Sequence, residues 1–354
     1  MSVLDLARPN IRGMLPYSSA RMEATGGGML LNANESPWPP FGADDHDWNR
    51  YPDPQPAALV ERLAEIYKVS PNQLLVGRGS DEAIDLLVRA FCAPGQDAIA
   101  ISPPTFGMYA VCARVQDAEV IAIPLDDNFH VDVDGLLASI NDNVKLLFLC
   151  TPNNPTGDVL PMDRIERIAR ELAGRAVVVV DEAYIEFANA ASASTLVDRY
   201  DNLAVLRTLS KAWAMAGLRL GCLIANAEII SLLRRIMPPY PLPTPCVESA
   251  LAALSNDGIA EMNRRVSATV AERGRIDSAL RECNAIIDVL PSRANFLTVR
   301  CIDSAALYRR LLNAGIIVRN VSHYPQLAHC LRFSIGTASE NDRLLEAIRS
   351  AENT

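Results

Sequence analysis

Nowhere in this chain do apolar residues run on long enough to cross a bilayer. The most apolar stretches, AVVVV at 176–180 and LLFLC at 146–150, have the length of strands, well short of the roughly 20 residues that a spanning helix needs. The opening MSVLDLARPNIRGM offers neither the basic start nor the continuous apolar segment of a secretion signal. Eight cysteines are scattered without a CxxC pair, which fits reduced thiols in a cytoplasmic enzyme. His323 and His329 have no third group at metal-ligand spacing, so they read as loop residues and no metal is expected. Positive charge is in deficit, 33 Lys+Arg against 42 Asp+Glu for a net charge of −9. That argues against nucleic acid or an anionic membrane as the main partner and leaves room only for a local basic pocket. There is no internal repeat and no low-complexity segment.

With 354 residues, 49% hydrophobic and 21% charged, the chain has ample material for one large buried core and a smaller one. Residues 1–44 are rich in turn formers (TGGG at 25–28, NANESPWPP at 32–40) and read as an arm that packs with a smaller domain and with a partner subunit. Between about 45 and 240 helical and strand patterns alternate. Strands QLLVG, DAIAIS, AEVIAIPL, KLLFLC, AVVVVDEAY, LAVLRTL and RLGCLIA are apolar at consecutive positions, as strands covered on both faces are. The expectation is an α/β fold, a mostly parallel sheet of about seven strands sandwiched by helices. After the proline cluster PPYPLPTP (238–245) long helical patterns and three short strands, FLTVR, GIIVRN and CLRFSIG, predict a smaller α+β domain over 241–354.

Ligands of open α/β sheets lie outside the carboxyl ends of the strands. Four such ends carry polar groups. After LLVG comes RGSDE, where Ser80 and Asp81 open a helix whose free N–H groups suit an anion, although Ser80 could equally be a plain cap. The GxGxxE spacing there is only half of a dinucleotide fingerprint. After LLFLC comes TPNNPTG (151–157), either an ordinary turn or a device for aiming an asparagine amide. Asp181 ends an apolar strand, where a carboxylate needs a cation, a route to water or a capping role. After VLRTL come Ser210 and Lys211, with Arg219 close behind. Alone, Lys211 would be an ordinary snorkelling lysine. Together these groups make the set that pyridoxal phosphate asks for: an amine for its aldehyde, an acid for its ring nitrogen, and N–H groups with a cation for its phosphate.

The order SDE, NNPTG, DEAY, SK, LR resembles the fold-type I aminotransferases. LNANESP (31–37), RYPDPQ (50–55), GRGSDEAIDLL (77–87), DEAYIEF (181–187), TLSKAWAMAGLRLG (208–221), PYPLPTP (239–245) and CLRFSIGT (330–337) are similar to the histidinol-phosphate aminotransferase family within them, over nearly the whole chain. Two departures, Ser36 within NESP and Trp213 where phenylalanine is usual, fall near the cofactor region and bear on selectivity rather than chemistry.

The resemblance implies the following roles. Lys211 carries pyridoxal 5′-phosphate through an imine and moves the proton; Asp181 pairs with the pyridine nitrogen; Asn154 and Tyr184 hydrogen-bond the ring hydroxylate. Tyr109 stacks on the ring. Ser80, Asp81, Ser210 and Arg219 hold the phosphate, and Tyr51 reaches the phosphate in the other subunit, which makes a homodimer with shared sites. Arg332, with Arg319, Tyr17 and Asn34, would choose the substrate, the guanidinium clamping a phosphate in one half-reaction and a carboxylate in the other. The implied reaction is ping-pong transfer between histidinol phosphate and 2-oxoglutarate, giving imidazole acetol phosphate and glutamate. An aromatic amino-acid aminotransferase or a phosphothreonine decarboxylase on the same scaffold are the alternatives. A cofactor-sensing regulator is disfavoured by the acidic charge and by an arm that begins at residue 1.

Overall fold

The computed structural model describes residues 2–17, 28–43 and 45–349. A seven-stranded sheet contains β1 (Leu74–Gly77), β2 (Ala98–Ile101), β3 (Glu119–Ala122), β4 (Val144–Cys150), β5 (Val177–Asp181), β6 (Leu203–Thr208) and β7 (Gly221–Ala225) in the order β1-β7-β6-β5-β4-β2-β3. All pairings from β6 to β3 are parallel, and β7 alone runs against its neighbours β1 and β6. The valine run explains itself here. Val178 and Val180 enter one core layer, Val177 and Val179 the other, so both faces of β5 are dry.

One layer packs under α1 (Ala57–Tyr67), whose Leu59, Val60, Leu63 and Tyr67 share a face. The opposite layer lies under α2 (Ser80–Phe91) and α3 (Met108–Val115). Val3, Ala7 and Ile11, in the arm expected to lie with the smaller domain, are buried in this second layer instead, and the Arg8 N–H donates to the Ala90 carbonyl at 3.0 Å. Leu242, Val247 and Ala250 likewise join the first layer, the latter two from helix α4 (Thr244–Ala253).

The second sheet is antiparallel with four strands, β10-β11-β9-β8: β8 (Ile286–Val289), β9 (Phe296–Cys301), β10 (Arg319–Asn320) and β11 (Cys330–Ser334). It has one strand more than its pattern predicts. β8 is an edge strand with two exposed residues between two buried ones, too short and too mixed to show a period of two. Helix α5 (Asn256–Arg281), 26 residues long, crosses behind this sheet and contributes Ile276 and Leu280 to its core.

Candidate active site

Strands β1, β4, β5 and β6 run in one direction and end at the same edge, where a cavity of about 150 Å³ opens. Asp181, the last residue of β5, lies in register with Cys150, the last of β4, and is only 2% exposed. Its Oδ2 accepts the Tyr109 hydroxyl at 2.6 Å and its Oδ1 the Ala183 N–H at 3.1 Å. Burial pushes the carboxyl pKa up, and the two hydrogen bonds pull it back.

Lys211 lies three residues past the end of β6. Leu209, Trp213 and Met215 on either side are buried in the core, and the Met215 N–H bonds to the Leu209 carbonyl at 3.0 Å. These anchors leave Lys211 on the cavity wall, its ammonium 5.5 Å from the Tyr184 ring centre. Desolvation lowers its pKa, Arg332 lowers it further, and Asp81 and Asp181 act the other way.

The anion end is built by backbone. Gly79, at φ +81°, is the N-cap of α2 and no side chain caps the helix there, so the first-turn N–H groups have no intrahelical acceptor. A side chain at Gly221 would put its Cβ 2.6 Å from the Ser80 nitrogen, so only glycine lets β7 begin so close to this turn. Arg219 leans in and pairs with Asp81 at 3.1 Å. Ser80, Asp81, Ser210 and Arg219 all line the cavity.

In the NNPTG turn, Asn153 is the structural asparagine. Its amide donates to the Pro104 carbonyl at 2.9 Å and to Thr156 Oγ1 at 2.8 Å, and its oxygen accepts from Thr105 at 2.9 Å. Asn154 is thereby turned to the cavity, with its Nδ2 3.4 Å from the Tyr184 hydroxyl and its Oδ1 accepting from Arg332. The Arg332 guanidinium lies 5.2 Å over the Phe296 ring.

Eight of the expected residues thus meet at one cavity, with Arg332 reaching its edge through Asn154. Arg319 faces Arg332 across the β10–β11 pair, on a second depression over the smaller sheet. Tyr51 and Asn34 line a third, separate depression with Trp48 and Pro243, where Tyr51 stacks on Tyr240 at 4.4 Å. Tyr17 is 67% exposed and lies in none of these depressions.

Tyr109 requires a correction. It does not face the cavity: it is 0% exposed, stacked on Phe148 at 4.7 Å beneath Asp181. The ring on the cavity wall is Phe106, three residues earlier. The signal was present, since Tyr109, Cys112 and Ala113 follow helical spacing and are the buried face of α3, while Phe106 precedes the helix. Sequence reasoning also missed Cys150 and Thr208 on the wall. It missed a buried charge cluster behind the wall as well. Arg207 of β6 contacts Glu182 at 3.3 Å and Glu186 at 2.7 Å and lies 4.6 Å over the Tyr67 ring.

A lysine amine of lowered pKa, a buried carboxylate and an uncapped helix start thus meet at the strand ends of a largely parallel sheet, the architecture of a fold-type I aminotransferase. Residues 31–348 match the family described as aminotransferase class I and II. The histidinol-phosphate aminotransferase of Xanthomonas euvesicatoria pv. vesicatoria (strain 85-10) is 49% identical over 355 residues, covering 99% of this chain and 98% of that one. The crystal structure of the histidinol-phosphate aminotransferase from Clostridium acetobutylicum superposes with a TM-score of 0.79 at 25% identity, covering 86% of this chain and 91% of that chain. That of the Sinorhizobium meliloti enzyme, in complex with pyridoxal-5′-phosphate, gives 0.77 at 26% identity over 86% and 84%. The chain belongs to the class I and II aminotransferases, in their histidinol-phosphate aminotransferase family.

Proposed function

We propose that this protein is a pyridoxal-phosphate-dependent histidinol-phosphate transaminase. It exchanges the amino group between histidinol phosphate and 2-oxoglutarate in histidine biosynthesis, in the cytoplasm. The observation that carries this reading is the meeting of Lys211, Asp181 and the open start of α2 around one cavity. The residues fit the cofactor chemically at each end: N–H groups, Ser210 and Arg219 for a phosphate, Asp181 for a protonated ring nitrogen, Asn154 and Tyr184 for a ring oxygen, and Phe106 for a ring face. The bound cofactor supplies an aldehyde that captures an amine and a cationic ring that draws electrons from the reacting carbon.

The protein's share is positional and protonic. Lys211 Nζ, eased toward its neutral form by desolvation and Arg332, is the nucleophile that holds the cofactor and the base that removes the proton from the substrate carbon. A cationic nitrogen against Asp181 favours its charged form, offsetting the burial that otherwise raises its pKa. Burial holds the Tyr184 phenol well above its usual range, so it acts as a donor. Arg332 and Arg319 stand directly opposite on paired strands, a like-charge juxtaposition that costs stability until an anion sits between or beside them. We assign them to the phosphate of histidinol phosphate and the carboxylate of glutamate.

The test is a pair of single-turnover half-reactions on protein loaded with pyridoxal phosphate, one with histidinol phosphate and one with phenylalanine at equal concentration. Faster conversion of the bound cofactor's absorbance with histidinol phosphate is expected. Faster reaction with phenylalanine would make the protein an aromatic aminotransferase, and release of carbon dioxide from phosphothreonine would make it a decarboxylase.

A further inference from the structure

Tyr109 lies beneath the cavity, between two aromatic rings: Phe148 stacks on it at 4.7 Å with an interplanar angle of 10°, and Phe106 meets it edge-on at 5.5 Å and 83°. Its ring is fixed on both sides and has no exposure to solvent, and its hydroxyl donates to Asp181 Oδ2 at 2.6 Å with the Cys150 thiol as its other polar neighbour. We propose that Tyr109 is a positioning residue, which fixes the plane of the Asp181 carboxylate and keeps it a charged acceptor for the ring nitrogen of the cofactor. This rests on the cofactor assignment above.

Each Asp181 oxygen holds one internal donor, the Tyr109 hydroxyl on Oδ2 and the Ala183 N–H on Oδ1. A carboxylate oxygen has two acceptor sites, so one remains on each for a ligand in the cavity. Without the phenol, Oδ2 would have no internal donor, and the carboxylate, held only at Oδ1 by Ala183, would be free to turn about its bond to the chain. The charged groups around it give little alternative support. Asp81 of α2 opposes ionisation and Lys211 favours it. The Cys150 thiol at the end of β4 and the Tyr184 phenol are both pushed up by burial and stay neutral. Tyr109 is itself pushed well above the usual phenol range by burial and by Asp181, so it donates throughout the working pH range. Among the influences on Asp181 it is the largest that opposes burial.

The experiment is Tyr109→Phe, which keeps the ring between its two neighbours and removes only the hydroxyl. Carbon-13 NMR titration of aspartate-labelled apoprotein, with Asp181→Asn to assign the signal, reads the carboxyl directly. The midpoint of Asp181 is expected to move up by about one pH unit in the variant, the size of one hydrogen bond to a charged group. In loaded protein the dissociation constant for pyridoxal phosphate should rise about tenfold and kcat fall by a similar factor, with KM for glutamate nearly unchanged. In an Asp181→Asn background the same Tyr109→Phe change should alter neither by more than about twofold, because its effect passes through Asp181. An unmoved carboxyl midpoint, or equal losses in both backgrounds, overturns the proposal. Failure of the wild-type protein to bind pyridoxal phosphate would instead remove the cofactor assignment, while the apoprotein titration would still decide what Tyr109 does to Asp181.

Discussion

Lys211 is held by its neighbours at a cost. Its ammonium is partly desolvated and stands in the field of Arg332, so its pKa is lower folded than unfolded. In the pH range between those two values the unfolded chain binds more protons, and stability therefore rises with pH there. Replacing the amine with an apolar side chain removes that penalty. Lys211→Met apoprotein should melt at or above the wild-type temperature at pH 7, and the difference should shrink as pH rises toward 10.5, the ordinary lysine value. Turnover in the same variant should fall by at least about a thousandfold, the combined loss of nucleophile and proton carrier. Near-normal turnover would sink the assignment of Lys211, and a lower melting temperature would show that the lysine is a structural residue. Asp81 illustrates a different point. Its place at a helix start suits an anion through the backbone N–H, and the structure gives the carboxylate a separate partner in Arg219 at 3.1 Å.

Strand ends hold these residues in place, and the buried cluster behind them pins those ends together. Glu182 follows directly on β5 and accepts from Ser192 at 2.5 Å and the Ala193 N–H at 2.6 Å, while Arg207 on the adjoining β6 bridges it to Glu186. Removing one member of a buried pair leaves the other charged and unpaired, which costs about 3–5 kcal/mol. Arg207→Met should therefore lower unfolding stability by about that amount in a denaturant titration, and restoring neutrality with Glu182→Gln and Glu186→Gln should recover part of it. A loss below about 1 kcal/mol would show that the cluster does not hold the two strands. Nothing in the sequence singled out this group, because burial of a charge is a property of the assembled sheet. The strands themselves were legible, since runs such as AVVVV are apolar at every position and only a doubly covered strand needs that. Helix α3 is fainter: its eight residues follow directly on a turn, and the spacing of Tyr109, Cys112 and Ala113 marks its buried face with one short stripe only. The resemblance alone put Tyr109 on the cofactor ring, whereas the helical spacing turns it to the core and leaves Phe106 on the cavity wall. β8 escaped for the same reason of brevity.

The remaining expectations concern what lies outside one chain. Tyr51 is 47% exposed and lines a depression separate from the one that holds Lys211. The arm leaves Met29, Leu31, Trp38 and Phe41 between 74% and 108% exposed, large apolar side chains that burial against another surface would stabilise. The homodimer that the resemblance implies, each copy placing its own Tyr51 at the neighbouring cofactor phosphate, would account for both facts, since a twofold contact uses the same patch on each side. The consequence is arithmetical. Lys211→Ala supplies good Tyr51 but no amine, and Tyr51→Ala the reverse. When the two variants are unfolded, mixed in equal amounts and refolded, half of the dimers should be mixed, and one of the two sites in each should be intact. Activity should return to about a quarter of the wild-type value from two preparations that have far less alone. If Tyr51 served only the cavity of its own chain, the mixed dimer would contain no more than the residual site of the Tyr51 variant, and mixing would yield nothing beyond the average of the two.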